Sequence, residues 1–202
     1  RWDYAYTGGD SYGNPTGLRD KRVGIIGTGA TSIQCVPHLG ASAQQLFVFQ
    51  RTPSSVDVRA NRPTDPEWVK TLEPGWQRKR TANFSLLTTG GAADEDLVMD
   101  GWTEIFGKLI RRRQAGEVDF ARSLEVADFE KMQQIRDRAE SIVADPDTAE
   151  ALKPYYRQFC KRPCFHDDYL DTYNLPNVTR VDTAGQGGER VTERGVVANG
   201  VG

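Results

Sequence analysis

Lys21-Arg22-Val23-Gly24-Ile25-Ile26-Gly27-Thr28-Gly29-Ala30-Thr31-Ser32 decides how this chain reads. An apolar strand runs straight into a glycine turn, and a helix pattern follows the turn. The next apolar run is Leu46-Phe47-Val48-Phe49, and Gln50-Arg51-Thr52 comes directly after it. Strand, glycine turn, helix and second strand in that order form the opening β-α-β unit of a dinucleotide-binding domain.

The glycines have separate jobs. Gly27 allows the tight turn out of the strand. Gly29, lacking a side chain, lets a pyrophosphate approach the backbone. The N-terminus of the following helix then presents unpaired N–H groups and a partial positive charge. These arguments assign Gly27, Thr28, Gly29, Ala30, Thr31 and Ser32 to a cofactor cradle. Ser32 stands where Gly or Ala usually permits close helix–strand packing, a mild departure because Ser is small. An incidental glycine turn is the plain alternative.

The residue after the second strand selects the dinucleotide. An acid there accepts hydrogen bonds from the ribose 2′-OH of NAD, whereas a cation suits the 2′-phosphate of NADP. No acid stands here, and Gln50 is followed by Arg51. A guanidinium holds a phosphate with two parallel bonds. The pattern therefore favours NADPH/NADP+ over NAD, against the alternative that Arg51 is a solvated strand-end charge.

Composition excludes several classes. The chain has 202 residues, room for one domain with an insertion or two small domains. A hydrophobic fraction of 38% and a charged fraction of 27% fit a soluble globular protein. A net charge of −2 gives no pull toward nucleic acid or an anionic membrane. No apolar run nears the roughly 20 residues that span a bilayer, and no signal-peptide pattern is present. The three cysteines Cys35, Cys160 and Cys164 make no disulfide framework and fit a reducing cytoplasm as half-buried thiols. Cys160, Cys164 and His166 are spaced wrongly for a redox pair and lack a fourth metal ligand, so no metal is expected. His38 is expected at the surface or as a helix C-cap. The chain starts with Arg1, not Met, and is expected to be a piece of a longer protein.

Along the chain, residues 1–20 read as loop. A strand is predicted over Arg22 to Ile26 and a helix from about Ala30 to Leu39, with Pro37 inside it and Gly40 as its stop. The second strand covers Leu46 to Phe49, and 54–63 read as polar loop. Thr64-Asp65-Pro66-Glu67-Trp68 is a helix start, and the pattern stays helical to about residue 153. Two stripes are predicted to face a core: Trp102, Ile105, Phe106, Leu109 and Ile110, then Phe129, Met132, Ile135, Ala139 and Ile142. Arg111-Arg112-Arg113 reads as a helix end. Breaks fall at Gly90-Gly91 and at Ala144 to Pro146. After Pro154 the pattern returns to strand, with Val178 to Val181 following a helix-like Asp168 to Asn174. Val191 and Val196-Val197 suggest two short strands. The fold class expected is α/β, a Rossmann-like NADP-binding domain over 22–58 and 155–202, interrupted by an α-helical insertion over 59–154.

Three strings carry a family resemblance: Gly27-Thr28-Gly29-Ala30-Thr31-Ser32-Ile33-Gln34, then Phe49-Gln50-Arg51-Thr52-Pro53, then Cys160-Lys161-Arg162-Pro163. With these the sequence resembles the flavin-dependent class B monooxygenases, particularly the Baeyer–Villiger type. Trp2-Asp3 resemble the last two positions of that family's fingerprint, whose Phe, Gly and His would lie upstream of residue 1. The resemblance implies two dinucleotide-binding domains in the full-length protein, one for FAD and one for NADPH. This chain resembles the second, with 1–21 as linker from the FAD domain of the same polypeptide. It implies that Arg51, Thr52 and Lys161 contact the 2′-phosphate, that Gln34 is a cofactor-side contact, and that Arg162 is the catalytic arginine beside the flavin. The implied reaction uses NADPH and O2 to convert a small-molecule ketone to an ester or lactone through a flavin peroxide.

A fixed guanidinium suits that chemistry because it stabilises developing negative charge and cannot lose its proton. Adjacent residues on an extended segment point opposite ways, so Lys161 can face NADP while Arg162 faces the flavin. The alternative is an ordinary exposed basic pair. Other functions stay open: an N- or S-oxygenating flavin monooxygenase, or a non-catalytic NADP-binding domain. A disulfide reductase would need a vicinal redox cysteine motif, which is missing. The chain alone is expected to be inactive and marginally stable, ending after the Asn199-Gly200 turn signal before the strand that should return.

Overall fold

The computed structural model describes residues 2–91, 93–116, 118–193 and 195–198. In chain order the elements are α1 (Tyr4–Thr7), β1 (Arg22–Ile26), α2 (Ala30–Ser42), β2 (Gln45–Gln50) and β3 (Val56–Asp57). Helices α3 (Pro66–Lys70), α4 (Trp76–Thr88), α5 (Glu104–Gln114), α6 (Phe120–Ile142) and α7 (Pro146–Ala151) follow. Strands β4 (Cys164–Phe165), β5 (Val178–Asp182), β6 (Arg190–Thr192) and β7 (Gly195–Val197) complete the described chain. The chain divides into two compact units, Arg1–Asp57 with Ile135–Gly202, and Val58–Gln134.

The first unit is mixed α/β around a parallel sheet in the order β1-β2-β5. Val23 lies opposite Leu46 and Ile25 opposite Val48, and Phe49 of β2 lies opposite Val181 of β5. Parallel neighbours need a crossover, and α2 supplies it between β1 and β2. Its Ile33, Val36 and Leu39 are buried with Leu46 and Val48 of the central strand, joined by Ala139, Leu152, Tyr169 and Leu170. Each such aliphatic side chain contributes roughly 1.5–3 kcal/mol when fully buried.

Helix α2 runs past the predicted stop at Gly40 to Ser42. Gly40 is a close-packing residue: a Cβ there would lie 2.7 Å from Thr172 Cγ2 and 3.2 Å from Val178 Cγ2. The helix end is closed by Asn177, whose side-chain amide donates to the carbonyls of Gly40 at 2.9 Å and Ala43 at 3.0 Å. Residues 1–20 are more than loop. Asp3 caps α1 by accepting from the Ala5 and Tyr6 amides, and Leu18 is part of the buried core. Within 54–63, read as loop, Val56–Asp57 pairs in parallel with Cys164–Phe165. Asp168 to Asn174 tightens into a 3₁₀ turn at Asp171–Asn174. The two valine segments form the antiparallel pair β6–β7, and Asn199-Gly200 lie outside the described residues.

The second unit is helical. Asp65 accepts from the Glu67 amide at 2.9 Å and Pro66 opens α3, as the Thr64 to Trp68 pattern predicts. Ile105, Leu109 and Ala127 form a small buried centre. Phe129 does not face it and is 65% exposed. The buried positions in this part of α6 are Ser123, Ala127, Lys131 and Met132. Phe129 falls midway between two of them, about 200° around the helix. Met132, Ile135 and Ala139 of the predicted stripe are buried, so Phe129 is the position at which apolar spacing alone fails. Lys131 is buried because its ammonium pairs with Glu104, which also meets Lys108 at 3.2 Å. No helix of the described residues is long and apolar enough to cross a membrane.

Candidate functional site

The glycine turn leaves β1 at Gly27, whose φ of +94° favours glycine. Its amide donates to the Phe49 carbonyl at 2.9 Å, tying the turn to β2. Gly29 has an ordinary backbone, φ −75°. No protein atom lies within 4 Å of a Cβ added at either glycine. The turn therefore faces open space, and nothing in the described protein forbids a side chain at Gly29. Helix α2 starts there with no side-chain cap and no acid in its first turn, so its first amides are left for an external acceptor.

The side chains of the turn face inward. Thr28 is buried and its hydroxyl donates to the Thr52 carbonyl at 2.9 Å. Ser54 returns a bond to the Thr28 carbonyl at 2.5 Å. Ser32 donates to the Gly27 carbonyl at 2.6 Å, which is how a serine fits the usual Gly/Ala position. Ala30 is half-buried, and Thr31 and Gln34 are exposed. Gln34 donates to the Ala30 carbonyl at 3.2 Å and lines a recess of about 260 Å³ with Trp2, Tyr4, Tyr12 and the exposed His38.

At the end of β2, Gln50 is buried with its amide donating to the Ala151 carbonyl at 2.7 Å. Arg51 and Thr52 emerge to the surface. The β3–β4 pairing then brings a distant segment alongside. The Cys164 amide donates to the Ser55 carbonyl at 3.0 Å and the His166 amide to the Asp57 carbonyl at 2.9 Å. The Lys161 ammonium in consequence bonds the Thr52 hydroxyl. Partial burial, and then the Arg51 charge, pull Lys161 below the ordinary lysine range. The Arg51 guanidinium has no hydrogen-bond or ion-pair partner among the described residues. Two cations and a hydroxyl thus converge with no acid paired to them among the described residues, an arrangement able to accept an anion.

Lys161 is extended, φ −131° and ψ 166°, so the side chain of Arg162 diverges from it. Arg162 is exposed, without a side-chain partner among the described residues, and its carbonyl accepts from the Cys164 thiol at 3.5 Å. Burial pushes the Cys164 thiol up. Cys35 is half-buried and Cys160 exposed.

Three supporting residues escape a sequence reading. Tyr156 accepts from the Ser55 amide and donates to the Pro53 carbonyl, both at 2.9 Å. Its ring centroid lies 4.8 Å from the Lys161 ammonium. Arg138 of α6 donates to the carbonyls of Val56, His166 and Asp167, each at 3.1 Å. Ser54 is the third. None carries a local signal, because an Arg or Tyr in a helical or polar stretch reads as surface.

No family model matches the chain. The Baeyer–Villiger monooxygenase ATR8 of Stachybotrys chlorohalonatus is 61% identical over 207 residues, which are 99% of this chain and 33% of that protein. Among solved structures, a polycyclic ketone monooxygenase from Thermothelomyces thermophila matches with a TM-score of 0.80 at 42% identity, covering 98% of this chain and 34% of its own. OTEMO, in complex with FAD and NADP, matches with a TM-score of 0.66 at 25% identity over 95% of this chain and 38% of its own. The chain spans about a third of the length of the curated relatives it matches.

Proposed function

We propose that this chain, which is related to the Baeyer–Villiger monooxygenases over about a third of their length, is the NADPH-binding portion of an FAD-dependent monooxygenase that oxygenates ketones to esters or lactones. In this reading, 22–58 and 155–202 form a Rossmann-like NADP-binding domain with Ile135–Pro154 packed in the same compact unit, and the rest of 59–154 forms a helical insertion. The observation that carries it is the convergence of Arg51, Thr52 and Lys161 beside an open glycine turn. The α2 amides and the faces of Gly27 and Gly29 take the pyrophosphate. Arg51, Thr52 and Lys161 take the 2′-phosphate.

FAD, held by a domain outside this chain, supplies the oxygen-activating chemistry when bound. The Arg162 guanidinium would stabilise the negative charge that develops during oxygen transfer to the ketone. Lys161 and Arg162 diverge from one extended segment, so one backbone holds the phosphate cation and the catalytic cation at a fixed spacing. The partners are then a small ketone, O2 and the FAD domain of the same polypeptide.

The test uses the intact protein. Arg162→Ala is expected to retain NADPH-driven flavin reduction and to lose ester formation by at least about a hundredfold, the usual effect of removing one charge-stabilising donor. Ester formation within a few-fold of wild type would remove Arg162 from the chemistry.

A further inference from the structure

Lys161 is held by more than its own backbone. Its ammonium is bonded to Thr52 on one side and lies over the Tyr156 ring at 4.8 Å on another. The hydroxyl of the same tyrosine bridges the Ser55 amide and the Pro53 carbonyl, the two residues that follow Thr52 by one and three positions. One side chain therefore touches Lys161 and the backbone turn that follows Thr52, through two chemically distinct parts. The ring attracts a cation through its quadrupole. The hydroxyl fixes the turn that carries Thr52 and, through Ser54, the glycine turn as well.

We propose that Tyr156 is a positioning residue for cofactor discrimination: its ring face presets the Lys161 ammonium for the 2′-phosphate, and its hydroxyl holds the Pro53–Ser55 turn. This inference rests on the reading of Arg51, Thr52 and Lys161 as the phosphate site. A flexible lysine loses rotamer entropy when held in one place. A lysine already held between Thr52 and an aromatic face loses less of it on binding. Only NADP+ carries the group that Lys161 meets, so the ring affects the preference for NADP+ over NAD+. The hydroxyl supports a turn shared by both dinucleotides and affects the two alike.

The experiment measures dissociation constants of the intact protein for NADP+ and NAD+ in wild type, Tyr156→Leu, Tyr156→Phe, Lys161→Met and Arg51→Ala. Tyr156→Leu is expected to lower the NADP+/NAD+ preference about two- to fivefold, the range of a cation–aromatic contact. Tyr156→Phe keeps the ring and is expected to weaken both ligands while leaving the preference within twofold. In a Lys161→Met background, Tyr156→Leu is expected to change the preference no further, because the two act as one unit. Tyr156→Met, which keeps most of the volume without an aromatic face, replaces the leucine variant if that one does not fold. A preference unchanged in Tyr156→Leu while Arg51→Ala and Lys161→Met lower it would overturn the role of Tyr156 alone. A preference unchanged in all variants would overturn the phosphate site as well.

Discussion

At the residue scale, Gly29 separates what the protein requires from what a ligand requires. Gly27 adopts a positive φ, so its identity follows from the backbone alone. Gly29 does not, and a methyl group there meets no protein atom within 4 Å. Gly29→Ala in the intact protein is therefore expected to leave stability within about 1 kcal/mol, since a poorer helix N-cap and a less flexible unfolded chain act in opposite directions. NADP+ affinity is expected to fall at least tenfold, because the methyl occupies the path of the pyrophosphate. Chemical denaturation and calorimetric titration read the two quantities. Unchanged affinity in a stable variant would mean that the glycine turn is not the pyrophosphate cradle. Both glycines and Arg51 were legible in the sequence, because turn chemistry and a strand-end charge are local properties. Thr28 and Ser32 were legible only as members of the motif. That their hydroxyls turn inward, to Thr52 and Gly27, depends on a backbone path that no pattern of residue types encodes.

At the element scale, the site depends on two strands of two residues each. β1, α2 and β2 could be read from apolar runs and glycines, with boundaries off by a residue at β2 and by a turn at α2. β3 and β4 could not. A two-residue strand has no periodicity to detect, and its partner lies far off in sequence. Ser55 and Tyr156 are 101 positions apart and Thr52 and Lys161 are 109 apart. Arg138 closes this pairing by donating to carbonyls of both segments. Arg138→Leu leaves those three half-buried acceptors without their donor, and a hydrogen bond to a charged group is worth about 1.5–3 kcal/mol. The expected loss is about 2–4 kcal/mol by urea denaturation, given that water recovers part of it. A change below about 0.5 kcal/mol would show that the β3–β4 pairing stands without the arginine.

At the scale of the whole molecule, the chain is two compact units, and the residues of the proposed cofactor site lie in the first. The interruption of the α/β pattern by helices was legible because periodicity changes from two to 3.6 residues and the capping signal at Asp65-Pro66 is strong. The burial of Met132, Ile135 and Ala139 on α6 was legible too, but that of Ser123 and Lys131 was not, because charge pairing with Glu104 rather than apolar character puts Lys131 inside. Strand β1 has one partner strand among the described residues, and its Ile26 is 59% exposed. The relatives are about three times as long as this chain. The activity proposed here is that of proteins of the relatives' length, and the proposed cofactor grip is the part of it assigned to these residues. The most direct test is a structure of the intact protein with NADP+ bound. The account predicts the 2′-phosphate within hydrogen-bonding distance of Arg51, Thr52 and Lys161, with the pyrophosphate against Gly29 and the first amides of α2. A bound NADP+ whose 2′-phosphate touches none of the three would contradict it.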